Sequence, residues 1–249
     1  MKKQRIDILL ANSGLAESRN KAQRLVMAGE VKVDGQLVHK SSELFDFSCN
    51  IVIKSKPKYV SRGGLKLEKA ITEFKINDIA GKICVDIGAS TGGFTDCLLQ
   101  NGAEKVYAVD VGYGQLHQSL RKNSRVINME RMNVKDVKEF PEPIDLVTID
   151  VSFISLNRIF PIVKNWHDQK IIRVIALIKP QFEVGRKIAA KGKGVIRSDK
   201  DRQKAVKDIL SKARDEGFNV LGMVESPIKG PKGNVEFLVY LAFDPLKDK

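Results

Sequence analysis

Residues 83–94, ICVDIGASTGGF, are the stretch best able to hold a small molecule. The apolar run at 83–87 predicts a buried strand. It breaks at Gly88 into small residues, and helical spacing resumes over 94–99. A strand, a glycine turn and a helix together build a nucleotide or cofactor pocket. Glycines let backbone approach a ligand closely, and the helix start offers free N–H groups. Two familiar pockets are excluded. A phosphate-cradling loop needs Lys and then Ser or Thr after its last glycine, and Phe94 stands there. The dinucleotide fingerprint fails at Ala89-Ser90, which weakens a NAD-dependent enzyme. What is left is Asp86 before the turn, the loose glycine loop, and Asp110 ending the next strand, KVYAVD. A carboxylate there can accept hydrogen bonds from both hydroxyls of a ribose. Taken alone, the glycine loop also fits an ordinary βαβ crossover.

The surrounding elements must bring such groups together. Further strands are expected at 125–129, 145–150, 171–178, 217–225 and 234–243, giving seven with 83–87 and 105–110. Helices are expected at 65–74 and 198–215, with a loop and helix over 152–163. Strands alternating with helices predict a mostly parallel sheet, and the final strand-loop-strand predicts one antiparallel edge. Functional groups in such a sheet gather at the carboxyl ends of its strands. Asp86, Asp110, Asp150 and Lys179 all sit at strand ends.

The net charge of +13 calls for an anionic partner. It is concentrated: residues 1–60 hold eleven Lys and Arg against six Asp and Glu, and residues 179–204 hold nine against three. Two basic patches fit nucleic acid better than a small acidic metabolite. The three cysteines are odd in number and lack metal spacing, so no metal site is legible and a reduced, cytoplasmic setting is expected. No run is long and apolar enough to span a bilayer. The basic start of the chain is interrupted by Asp7 and Asn12, which argues against a signal peptide.

The first 60 residues read differently from the rest. A short helix is expected over 3–10, and Ser18 caps a second one from Arg19 to Ala28. VKV and QLV then flank Asp34-Gly35, a hairpin signal, and Ile51 and Ile53 mark another strand. This order over about residues 3–54, with its core at 18–26 and 29–35, resembles the S4 RNA-binding domain. The resemblance implies that the second helix and hairpin present basic residues to structured RNA; Arg5, Arg19, Lys21 and Arg24 are the candidates here. Basic side chains of this kind suit recognition of RNA shape and phosphates. The domains are expected at 1–56 (S4-like) and 61–249, with 57–60 as linker.

The turn at 86–94 with Asp110 resembles the S-adenosylmethionine (SAM) pocket of Rossmann-like methyltransferases. Adding Ser61-Arg62-Gly63-Gly64, Lys66-Leu67, TIDVSF at 148–153, IKPQFE at 178–183 and GNVEF at 233–237, the chain resembles the TlyA family over nearly its whole length. That family joins an S4 domain to a FtsJ-like methyltransferase, and it has also carried a hemolysin name. The resemblance implies an α/β fold, a seven-stranded Rossmann-like methyltransferase behind a small α+β S4 domain. It implies a SAM-dependent enzyme that methylates the 2′-oxygen of cytidine in rRNA within ribosomal subunits. A Lys-Asp-Lys-Glu tetrad would fall on Lys66, Asp150, Lys179 and Glu236. Lys69, a helical turn away, competes with Lys66 for its place. Lys179 would accept the proton, Lys66 would orient the hydroxyl, and the two carboxylates would hold the lysines. SAM would meet Asp86, Gly88, Ser90, Gly92, Gly93, Phe94, Asp110 and Asn133. Arg62, Lys191 and Lys193 would add RNA contacts. A monomer with no membrane partner is expected. The other function class in play is a non-enzymatic RNA-binding or ribosome-assembly factor.

Overall fold

The structure, a computed structural model, describes residues 3–53 and 57–246; at 186, 187, 191 and 231 it describes the backbone alone. The chain divides into two compact units, Met1–Lys58 and Tyr59–Lys249.

In the first unit, β1 (Lys3–Arg5) pairs antiparallel with β4 (Leu44–Asp46). The helix expected from residue 3 therefore starts only at Ile6. Arg5 is extended, and its N-terminal neighbours are spent on the β4 pairing. Helix α1 (Ile6–Asn12) is followed by α2 (Arg19–Met27), where the Ser18 hydroxyl accepts the Lys21 N–H at 3.2 Å. Strands β2 (Val31–Val33) and β3 (Gln36–Leu37) form the expected hairpin. Its turn residues Asp34 and Gly35 have φ of 49° and 83°. Both values are positive, as the twist-matched two-residue turn requires. Strand β5 (Ile51–Ile53) pairs with the other side of β2. Ile6, Leu10, Ala22, Val26 and Val31 close a small core of their own.

Residues 59 and 60 do not behave as linker. The Tyr59 ring is buried in the core of the second unit, and Val60 N–H donates to Asp96 at 2.8 Å. Residues 54–56 of the expected boundary lie outside the described residues.

In the second unit the elements run α3 (Gly63–Glu73), β6 (Ile83–Ile87), α4 (Gly93–Gln100), β7 (Lys105–Asp110), α5 (Gln118–Arg121), β8 (Val126–Glu130) and β9 (Leu146–Ile149). They continue as α6 (Phe160–Lys164), β10 (Ile172–Ile178), α7 (Pro180–Glu183), α8 (Arg186–Lys191), α9 (Asp199–Asp215), β11 (Phe218–Glu225) and β12 (Phe237–Phe243). The seven strands lie in the order β11-β12-β10-β9-β6-β7-β8. Alternate strand residues feed two cores. Val85, Ile87, Val147 and Ile149 face α6 and α9, whereas Cys84, Leu146 and Ile175 face α3 and α4.

One expectation fails here. The antiparallel strand is not at the edge. β12 inserts between β10 and β11 and runs antiparallel to both. Its flanks explain the choice: FLVYLAF is buried at five of seven positions, whereas β11 alternates buried or half-buried with exposed residues, as an edge strand does.

Candidate active site

The site forms along the carboxyl edge of the parallel strands. At the end of β6, Gly88 has φ of 81°, and a Cβ there would stand 2.5 Å from the Asp150 carbonyl oxygen. Only glycine tolerates both conditions. Gly92 caps α4 in the left-handed region, with φ of 97°. Gly93 lets α4 touch the start of α3: a Cβ would lie 2.8 Å from Gly64 N and collide with Ser61 Oγ. The Ser61-Arg62-Gly63-Gly64 run is thus explained by close packing of two helix starts, which carries Lys66 to the pocket.

Asp86 lines neither of the cavities described below. It is fully buried under the turn. Its Oδ2 accepts the Thr95 N–H at 2.9 Å and the Thr95 hydroxyl at 2.7 Å, and its Oδ1 accepts the Thr148 hydroxyl at 2.9 Å. A strand carboxylate thereby ties down the first turn of α4, where the helix dipole favours negative charge. Burial pushes its carboxyl up to about 6, against the pull of those hydrogen bonds. Its place is beneath the glycine turn, with both oxygens taken by threonine donors.

Two cavities meet over the turn. One, of about 470 Å³, is lined by Ile87, Val109, Val111, Met132 and Ile154, with Asp110, Asn133 and Ser90 among them. The Asp110 carboxylate accepts Ser90 N–H at 2.8 Å and Gly112 N–H at 2.7 Å, one on each oxygen. This orients it and leaves each oxygen a further lone pair. The Asn133 side-chain oxygen caps residues 134–136 by accepting Lys135 N–H at 3.2 Å. The other cavity, about 400 Å³, is lined by Arg62, Gly63, Lys66, Gly93, Phe94, Lys179 and Lys229, among others. Gly88, Ser90, Asp150 and Ser152 line both. Gly92 lines neither; its hydrogens face Leu116 and Leu120.

The four tetrad candidates fall into two ion pairs. Lys66 Nζ donates to Glu236 Oε2 at 2.6 Å, and both side chains are at least nine-tenths buried. Lys179 Nζ meets Asp150 Oδ1 at 2.6 Å and donates to Ser152 Oγ at 3.0 Å. The topology makes this possible. Because β12 is antiparallel to β10, Ile178 pairs with Phe237, so the adjoining Lys179 and Glu236 reach the same edge. The Lys66/Lys69 ambiguity also resolves, since Lys69 Nζ pairs with Glu73 at 2.7 Å on the exposed side of α3. Glu236 lies against Gly230, where a Cβ would collide with its carboxylate. Glu236 Oε1 and Asp150 Oδ1 are buried and accept no well-directed hydrogen bond from the protein. For Asp150 this means that the short Lys179 contact is an ion pair with poor hydrogen-bond direction.

Phe153 was not legible from sequence, where it reads as one more apolar residue. It is 90% exposed, lines the larger cavity, and has φ of 66°. A bulky residue in that region is a true outlier, of the kind that clusters at functional sites. Its ring leans on Phe182, centroids 4.9 Å apart.

The basic candidates are dispersed. Arg62 is exposed at the smaller cavity, and Lys193 is exposed but lines neither. The Lys191 side chain lies outside the described residues. In the first unit, Lys21 is half-buried and Arg24 exposed. Arg5 and Arg19 converge on buried Asp7: Arg5 Nε and a terminal nitrogen donate at 3.0 and 2.9 Å, Arg19 Nε at 3.0 Å, and Gln23 at 2.8 Å. The Arg5 guanidinium, helped by Gln23 and Arg19, holds the Asp7 carboxyl well below the usual carboxylate range against the effect of burial.

Comparison with known proteins agrees with this geometry. Residues 59–243 match the FtsJ-like methyltransferase family and residues 4–48 the S4 domain. Hemolysin A of Brachyspira hyodysenteriae is 46% identical, with 95% of this chain and 98% of that protein covered. The 16S/23S rRNA (cytidine-2'-O)-methyltransferase TlyA of Mycobacterium tuberculosis is 41% identical, with 95% and 89% covered. A solved structure of a candidate hemolysin from Streptococcus thermophilus superposes with a TM-score of 0.70 at 44% identity, covering 98% of this chain and 90% of that one. The paired lysines and carboxylates, the glycine turn and the two matched domains together show that the chain belongs to the FtsJ-like methyltransferase family, in the TlyA form with an S4 domain ahead of the enzyme.

Proposed function

We propose that this protein uses SAM to methylate the 2′-oxygen of cytidine in rRNA of ribosomal subunits, as a cytoplasmic monomer. The observation that carries the reading is the junction of the two cavities at Gly88, Ser90, Asp150 and Ser152, with Lys66, paired to Glu236, and Lys179, paired to Asp150, lining the smaller one. The larger cavity suits SAM by its chemistry: apolar walls for an adenine, and an oriented carboxylate at Asp110 with free lone pairs for a ribose diol. Asn133 and Ser90 add polar groups on the same wall. When bound, SAM supplies a methyl group already activated by a positive sulfur.

The chain's own residues would do the rest. Phe153 offers an exposed ring on which a splayed-out base can stack. Lys66, anchored by Glu236, would donate a hydrogen bond to the attacking hydroxyl and favour negative charge on its oxygen. Lys179 takes the hydroxyl proton in its neutral form. Arg62 and Lys229 supply positive charge at the cavity for the adjoining phosphates. The S4 unit, with Lys21 and Arg24 and the Asp7-held arginines, grips the surrounding RNA.

Labelled SAM offered to purified subunits lacking the modification tests this reading. Label at a cytidine 2′-oxygen, detected as a backbone linkage resistant to alkali, is expected with wild type and absent with Lys179→Ala. Measurable SAM binding with no label on either subunit or the whole ribosome would point to a different RNA. Absence of both would favour the assembly-factor alternative.

A further inference from the structure

We infer that Ser152 is a positioning residue for the base: with Asp150 it aims the lone pair of Lys179 at the attacking hydroxyl. The inference rests on the methyl-transfer reading above. Neutral Lys179 carries two N–H bonds and one lone pair on a tetrahedral nitrogen. Two oxygens flank that nitrogen, Asp150 Oδ1 at 2.6 Å and Ser152 Oγ at 3.0 Å. With one N–H directed at Ser152 and a second drawn toward the Asp150 charge, the remaining direction belongs to the lone pair, and Lys179 lines the smaller cavity. The Asp150 contact, an ion pair of poor direction, would by itself leave the N–H bonds and the lone pair free to exchange places. The second acceptor removes that freedom.

Ser152 sits where this demands. It lines both cavities, so the nitrogen it orients faces the point where a hydroxyl and a methyl donor would meet. An exposed serine on a loop needs bracing, and the loop has it. The Leu156 N–H donates to Glu183 Oε1 at 3.1 Å, and the Phe153 ring rests on Phe182. Phe153, next in the chain, is held at its left-handed φ of 66°. A backbone conformation of this cost persists where surrounding contacts enforce it.

The proton and electron count closes. The O2′–H bond breaks, and its proton goes to the Nζ lone pair, making the third N–H. The electron pair left on oxygen forms the bond to the methyl carbon. The pair of the old carbon–sulfur bond stays on the sulfur, which becomes neutral. Lys179, now an ammonium, returns its proton to water.

The test is steady-state kinetics on subunits lacking the modification, for wild type, Lys179→Ala, Ser152→Ala and Ser152→Thr, with SAM affinity and thermal melting measured alongside. Ser152→Ala is expected to lose up to about tenfold in kcat, as for one hydrogen bond. Its KM for subunits, SAM affinity and melting should stay at wild-type values. Ser152→Thr, which keeps the acceptor oxygen, should recover most of the rate; a residue needed only for loop structure would not show that rescue. Full kcat in Ser152→Ala beside an inactive Lys179→Ala overturns the inference and spares the function. Loss of SAM binding or of melting temperature in Ser152→Ala also overturns it, because the serine would then be part of the wall alone. No ribose label from wild type removes the methyl-transfer reading and this inference with it.

Discussion

Buried carboxylates meet cations in both units, and they do so in opposite ways. In the first unit one carboxylate, Asp7, accepts four hydrogen bonds from Arg5, Arg19 and Gln23. Both of its oxygens have directed partners, three donors on Oδ2 and one on Oδ1. In the second unit two carboxylates take one lysine each, and Glu236 Oε1 and Asp150 Oδ1 are left short of well-directed partners. Unmet hydrogen-bonding capacity on a buried atom costs stability, and such atoms gather where chemistry uses them. The first cluster holds its arginines in fixed poses; the second leaves a carboxylate oxygen in each pair with capacity to accept.

The sharpest way to break that contrast is Lys179→Ala. It should cost about 100- to 10,000-fold in rate, the span for loss of a general base. Arg19→Ala should instead raise the KM for subunits and leave kcat alone, read from the same kinetics. Next is Gly230→Ala, whose Cβ would collide with the Glu236 carboxylate. Displacing Glu236 releases Lys66, and a loss of about 100-fold in kcat is expected, typical of a small misplacement at a reacting centre. SAM affinity, measured by calorimetry, should hold.

Asp86 is a third kind of carboxylate, buried with hydroxyl and N–H donors and no cation among them. Its folded value is raised from 3.8 to about 6, so the native state binds the proton more tightly. Wild-type stability should therefore fall, relative to Asp86→Asn, as pH rises from about 4 to about 6, and then stay level. Asp7 has the opposite sign. Its carboxyl is depressed, so its contribution is present above the ordinary carboxylate range and lost only in stronger acid. Denaturation of wild type and Asp7→Asn across pH should show their gap closing at the acid end. The smallest effect is Lys69→Ala, which removes an exposed pair with Glu73. It should cost no more than about 0.5 kcal/mol in melting experiments and nothing in rate.

Much of the enzyme was legible in the chain because its pocket uses local signals. The apolar run ending at Gly88 and the acid closing KVYAVD are each contiguous, and the strands bearing Asp150 and Lys179 have strong periodicity. What escaped depends on distant partners. β1 and β4 are three residues long and stabilised by each other, so neither shows a pattern of its own. The inward position of β12 depends on competition with β11 for the flank of β10. Asp86 resembled a ligand contact because its threonine partners lie on two other elements. Gly230 matters only through Glu236, and the exposure of Phe153 follows from a backbone turn that residue type does not announce. The signal that separated Lys66 from Lys69 was faint but present: Lys66 borders the buried stripe of Leu67 and Ala70, whereas Lys69 stands four residues before Glu73.

The insertion of β12 has a consequence for when the enzyme can work. Lys66 and Glu236 are 170 residues apart, and the strand that follows Glu236 lies one place in from the edge of the sheet. During synthesis the glycine turn and the Lys179 strand emerge well before it. A nascent chain can therefore assemble β6 to β10 and still lack the anchor for Lys66. Methyl transfer waits for the last strand to slot between two already made.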